Sequence, residues 1–324
     1  MSHSDEETSP FATKSDVEFS RKEYYREVLD KNVVAPLRIL LSDHRGLFGI
    51  TTIVFFVLVG TVGVWLTNPP DGTGPVLLSP FQSMEYPLGT DRYGNDLMLG
   101  LIHATPFMLM MIAGGALYNI TMATIVGTFA GYKGGKVDEI LMMISDAIIA
   151  IPGLPLVIVI AVIFEPENPF VVGIVITLPR WAGLARALRS EVLSVREESY
   201  IEASRTMGIP TRSILRHEII PNLMPYIMIN MVNAARGVIF ASVGLYFLGI
   251  LPFSGLNWGV MMNLAYTAAG SLYTWSSAHW LILPMITIVW LSFGLIMFGQ
   301  AADKVFNPRL RARHADTVDD EGAR

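Results

Sequence analysis

A 324-residue chain with 52% hydrophobic and only 16% charged residues, and a mean hydropathy of +0.47, is too apolar for an ordinary soluble domain, in which about 25% of residues are charged. The net charge of −5 says little, because Asp5-Glu6-Glu7 and Asp319-Asp320-Glu321 place much of it in solvated tails; no nucleic-acid partner is expected. With no cysteine there is neither a disulfide framework nor a thiolate metal site.

The charges crowd into residues 1–45, 180–218 and 303–324 and leave nearly bare stretches between them, as a bilayer demands of a chain that crosses it. At about 20 residues per crossing there is room for five to seven helices. Residues 1–46 read as a polar tail. Within it, 33–45 alternate apolar and basic positions, either as an interfacial helix or as an ordinary linker. The first apolar run begins only near Leu47, so no cleaved signal peptide is expected.

A transmembrane domain over 47–302 follows, with expected spans at Leu47–Leu66, Phe107–Gly131, Leu141–Phe164, Phe170–Leu188, Leu223–Leu248 and Trp280–Gln300. The third holds Asp146 and the Pro152/Pro155 pair, tolerable where neighbouring helices satisfy the freed carbonyls. Between the spans lie loops at 67–104 and 249–279 and a long polar segment at 189–221; residues 303–324 form a second tail. The expected fold is therefore all-α, with six crossings.

Lys and Arg set the orientation. Of 23, seven lie in the N-terminal tail, two in the 132–136 turn, seven between 180 and 216 and five in the C-terminal tail; Arg92 alone lies in the opposite loops and Arg236 within a span. Both termini, the 132–136 turn and the 189–221 segment are expected in the cytoplasm, and the loops at 67–104 and 249–279 outside.

The 189–221 segment is punctuated as two short helices and a hinge. Tyr200–Met207 is rich in helix formers, with Ser199 placed to cap it and Gly208 to end it. Pro210 suits the first turn of a second helix through His217, and Pro221 is expected to stop that helix before the fifth span. Ile201, Ser204 and Met207 fall on one face, an apolar stripe able to dock. Such a helix pair between two spans reads as a lever.

Here the chain resembles a known family. Glu202-Ala203-Ser204, with Gly208 four residues on, then His217 and Pro221-Asn222, is similar to the "EAA" coupling loop of binding-protein-dependent ABC importer permeases, with Ser204 replacing the motif's second Ala. Leu88-Gly89-Thr90-Asp91-x-x-Gly94-x-Asp96, Gly131-Tyr132-x-Gly134-Gly135-x-Val137-Asp138, Phe247-Leu248-Gly249, Trp258-Gly259 and Asn307-Pro308-Arg309 resemble landmarks of its dipeptide/oligopeptide/nickel branch, in order, over residues 33–313.

The resemblance implies a type I permease fold and a pore built with a second permease subunit, the same or different. Two ATPase subunits carrying the ATP and Mg would grip Tyr200, Glu202, Ala203, Ser204, Arg205, Gly208, His217 and Pro221. An extracytoplasmic binding protein would deliver peptides or related solutes at the cell membrane.

No catalytic residue and no cofactor are expected on the chain itself. Gly134-Gly135-Lys136 lacks the leading Gly and the metal-binding Ser/Thr of a phosphate loop. His217 has no second ligand at metal-binding spacing, which favours a structural or docking role. Asp91 and Asp96 read as turn and cap residues before cation ligands. Arg236 in the fifth span either faces the translocation path, together with Ser242 and Asp146, or pairs with Asp146, or snorkels to the interface. Many relatives carry Glu near the position of Ser242, so this path differs in charge. The rival reading is a gradient-driven secondary transporter or channel, which calls for coupled acidic residues and inverted repeats; only Asp146 and Arg236 stand as such groups, and no repeat is evident.

Overall fold

The computed structural model describes residues 35–251 and 255–306. A short helix α1 (Ala35–Ser42) leads into α2 (His44–Leu66), which passes through one π turn at Val59–Gly63. Asp43 caps α2, its carboxylate accepting from Arg45 N at 3.0 Å. Next come α3 (Leu97–Lys133), α4 (Gly135–Ala150), α5 (Gly153–Phe164), α6 (Pro169–Thr177), α7 (Trp181–Val195) and α8 (Ser199–Thr206). The last three are α9 (Thr211–Phe247), α10 (Trp258–Ala269) and α11 (Trp275–Val305).

Four of these, α2, α3, α9 and α11, are long and apolar enough to cross a bilayer unbroken. The other two expected spans are bent pairs, α4–α5 by 84° and α6–α7 by 63°, so the count is six if each pair is one crossing. The breaks fall at Pro152 and Pro179, where the ring removes a ladder donor and blocks the preceding turn.

α3 is the central post. At 37 residues it is about 55 Å long, more than a hydrocarbon core of about 30 Å needs, and it begins ten residues before the expected Phe107. Glycines bring it into backbone contact with α6 and α7. A methyl group added at Gly127 would lie 2.5 Å from the Ala185 carbonyl oxygen, and one at Gly131 2.9 Å from that of Arg189. At Gly114 and Gly173 the added carbon would collide with the carbonyl oxygens of Phe170 and Met111. Dispersion and close approach, with no hydrophobic drive between helices in lipid, hold such seams together. Thr177 Oγ1 crosses the seam, donating to Gly115 O at 3.2 Å.

α2 lies along α11 through Gly49 against Phe298 and a stack of Phe55 on Trp290 at 4.8 Å. The loop before α3 is folded on Asp91, whose carboxylate accepts from Tyr93 N, Asn95 N and Asn95 Nδ2 at 2.7–2.8 Å. Asp96 caps α3 through Met98 N. Both acids are thus occupied as turn and cap groups. Arg92 reaches Ala268 O and His279 Nε2 lies 3.1 Å from Thr90 O, tying the loop to α10 and α11.

Several expectations are corrected. The stretch 249–279 contains the helix α10, capped by Asn257 Oδ1 on Val260 N and ended by Gly270 at φ +58°. The helix that carries the expected fourth span runs past Leu188 to Val195 as α7. Pro221 does not stop the helix after the hinge. Thr211–Ile214 continues through a π turn, Leu215–Ile219, into Ile220–Phe247, and that wider turn lets the chain pass the proline without a break. Residues 1–34 of the N-terminal tail and 307–324 of the C-terminal tail, with the Asn307-Pro308-Arg309 landmark, lie outside the described residues.

Candidate functional site: a lever joint and a cleft at the helix breaks

The joint forms where α8 meets the start of α9. Ser199 was expected to cap α8, but Glu198 holds the cap position, extended and without a side-chain cap bond, because its carbonyl already accepts from Ile201 N and Glu202 N. Gly208, at φ +74° with no atom near its missing side chain, closes the helix as expected.

The stripe Ile201/Ser204/Met207 divides. Ile201 is fully buried with Ile214, Ile219, Leu188 and Val192 in an apolar cluster of the chain's own helices, whereas Met207 is 71% exposed. The anchor face of α8 is therefore used up inside this chain, and the outward face carries Glu202, Ala203, Thr206 and Met207.

Polar bonds brace the joint. Ser204 Oγ donates to Glu218 Oε1 at 2.8 Å, and Asn222 Nδ2 donates to both Tyr200 Oη and Glu218 O at 2.8 Å. Glu218 lies in the π turn, and its second oxygen is buried without a partner among the described residues. Burial, then the charges of Glu198 and Glu218, push the Tyr200 phenol above its ordinary range, keeping it protonated. Arg205 leans back over the Tyr132 ring, 5.6 Å from its centroid. His217 Nδ1 lies 3.0 Å from Ser213 O, a local helix contact. Pro221 is exposed on the first turn after the π segment.

The second feature lies at the helix breaks. A cleft of about 300 Å³ opens between α5, the α6–α7 bend and α9, walled by Leu154, Val157, Pro179, Phe240 and Gly244, with Arg180 its one charged group. Of the expected path residues, Asp146 touches Arg186 and so is not the partner of Arg236. Arg236 is half-buried one turn before Phe240, and its Nε has no partner among the described residues. Ser242 is fully buried, its hydroxyl donating to Ile239 O at 3.0 Å, and it faces the interior of the bundle rather than the cleft.

Sequence reasoning missed Arg180, which it grouped with the basic loop. The signal was present: Leu178-Pro179-Arg180 interrupts the apolar run that starts at Phe170.

A bundle of four to six helices able to cross a bilayer, with two bent pairs beside a cleft, is the architecture of a polytopic membrane protein. The model of the family described as "Binding-protein-dependent transport system inner membrane component" matches residues 123–312, and the chain belongs to that family. It is 30% identical to the dipeptide transport system permease protein DppC of Bacillus subtilis over 85% of each chain. It is 28% identical to the oligopeptide transport system permease protein OppC of the same organism, over 83% of this chain and 87% of that one. Against the OppC of Haemophilus influenzae it is 30% identical over 65% of this chain and 69% of the relative.

Proposed function

We propose that this chain is one of two permease subunits of an ATP-driven importer of peptides or related small solutes, with α8 as the helix that separate ATPase subunits grip. The observation that carries the reading is the division of α8. Its apolar side is fixed to α7 and α9, and its polar side, with Glu202 and Met207, presents a free surface beside a glycine hinge. A push on that surface passes to α7 and α9 through the packing of Ile201 and to α9 through the Ser204–Glu218 bond.

ATP and Mg belong to the partner subunits, and both termini with α8 face the cytoplasm, in keeping with the Lys/Arg bias. An extracytoplasmic binding protein supplies the solute, and the relatives' names support a peptide. Arg236 lies along the path, and Asp146, neutralised by Arg186, flanks it.

The test is co-purification of the complete transporter from cells carrying Glu202→Arg. Glu202 makes no side-chain bond among the described residues, so the chain is expected to fold and insert normally while losing the ATPase subunits. Retention of the ATPases and of uptake in this variant would overturn the assignment of α8.

A further inference from the structure

The three arginines between 180 and 189 are not alike. Arg186 touches Asp146, and Arg189 makes a two-pronged bond to Asp138 at 2.5 Å on each oxygen. Arg180 has no ion pair and no side-chain hydrogen bond among the described residues. It sits at the α6–α7 bend, after a nine-residue helix about 14 Å long; if the bent pair is one crossing, that is about half of a hydrocarbon core of about 30 Å. A cation left unpaired at that depth needs a partner from outside the chain or a wet cavity.

We propose that the cleft between α5, the α6–α7 bend and α9 is a subsite for the carboxylate of the transported solute, held by Arg180. The reading rests on the peptide-import function above for the source of that carboxylate. The walls are apolar apart from the guanidinium, which matches a carboxylate attached to a small side chain. At about 300 Å³ the cleft is at the lower end of small-molecule sites, so it takes one end of a peptide rather than a long chain.

Arg180 Nη1 lies beside Gly237 of α9, where an added methyl group would displace the free end of the arginine side chain. Gly244, two turns on, has open space beside it, although glycine inside a helix costs about 0.5–1 kcal/mol relative to alanine. Broken helices at the midplane are where membrane transporters free polar groups for a solute.

The chain's lack of cysteine makes the test direct. Leu154→Cys, on the cleft wall and 60% exposed, is introduced into the complete transporter in proteoliposomes. Its modification is followed on this chain with an anionic (sulfonatoethyl) and a cationic (trimethylammonioethyl) methanethiosulfonate. The anionic reagent is expected to react faster, relative to each reagent's rate with a free thiol. Arg180→Gln is expected to lower that preference at least about 5-fold, and Ala-Ala to slow the reaction in the Arg180 form.

In the same vesicles, with binding protein and ATP, Arg180→Gln is expected to lower the initial rate of Ala-Ala uptake about 10-fold or more, while Arg180→Lys keeps a larger share and ATP hydrolysis persists. The subsite is refuted if the introduced thiol reacts with neither reagent, which would mean that a neighbouring subunit or lipid fills the cleft. It is equally refuted if the anion preference survives Arg180→Gln or if uptake is unchanged. If the unaltered transporter takes up no Ala-Ala, the peptide reading falls instead. The reagent ratio, with acetate as competing ion, then still decides the subsite.

Discussion

The bundle has a welded face and an open face. Along α3, α6 and α7 the glycines at 114, 127, 131 and 173 stand where any side chain would strike backbone across the seam. On the other face, Gly183 and Gly244 are helical glycines with nothing within 4 Å, and Leu154, Val159, Val162, Ile163, Phe240 and Leu248 are exposed. The same residue type does opposite work. On the first face it holds helices in backbone contact; on the second it leaves open space beside the helix. A permease must move without dissolving its bundle, and the contrast indicates which helices form the rigid body.

The sharpest way to break the contrast is to fill both kinds of glycine. Gly173→Ala puts a carbon against the Met111 carbonyl, and neither backbone can yield without parting α3 from α6. A loss of about 1–3 kcal/mol is expected, read as a fall in the unfolding midpoint of the detergent-solubilised complex. A midpoint within error of the parent would mean that the seam is not closed as described.

Next in size is the ion pair that ties α4 to the welded face. Arg189 and Asp138 form a bidentate bond with side chains 31% and 15% exposed, and it braces α4 to α7. Asp138→Asn keeps the shape and removes the charge. About 1–3 kcal/mol should be lost, since a half-buried guanidinium is left with a weaker acceptor. Exchanging the pair, Asp138→Arg with Arg189→Asp, should recover part of that loss if the effect is electrostatic. No recovery would assign it to packing.

Gly244→Ala should act in the opposite direction and more weakly. With no neighbour within 4 Å, the added methyl raises helix propensity by about 0.5–1 kcal/mol and should not lower the stability of α9. Its cost should appear only in transport, as a slower turnover of the complete assembly. A destabilised chain would show that this face is already packed.

How far the sequence foretold all this follows from what each signal depends on. The apolar runs were legible because lipid excludes charge from every crossing, and Gly208 because a positive φ near a helix end selects glycine. The continuation past Pro221 was not legible, because the π turn that absorbs it is set by packing of Ile214 and Ile219 into a distant cluster. The stripe on α8 was visible, but a stripe does not say which surface will cover it, and the chain covers its own. α10 went unread although Asn257 and Gly270 mark both its ends, since its glycine- and tyrosine-rich surroundings read as loop. Prolines 152 and 179 were plain in the sequence, yet kinks of 84° and 63° depend on what the freed ends pack against.

The smallest expected effect concerns the tie between the two long helices outside this contrast, α2 and α11. Lys304 Nζ donates to Asp43 Oδ2 at 2.6 Å, and that bond, then the Arg45 N–H, hold the Asp43 carboxyl below its ordinary range. A carboxyl whose folded pKa is depressed adds stability that is complete above its unfolded value of about 4 and disappears as pH falls through the folded value. The pair is partly exposed, so at most about 1 kcal/mol is involved. Asp43→Asn keeps an effective helix cap while removing the ion pair, whereas Asp43→Ala removes both. At pH 7 the Ala variant should therefore unfold at a lower temperature than the Asn variant, and the gap between Asn and parent should shrink as the pH is lowered below 4. A gap that stays constant with pH would show that Lys304 contributes by packing along α11 rather than by its charge.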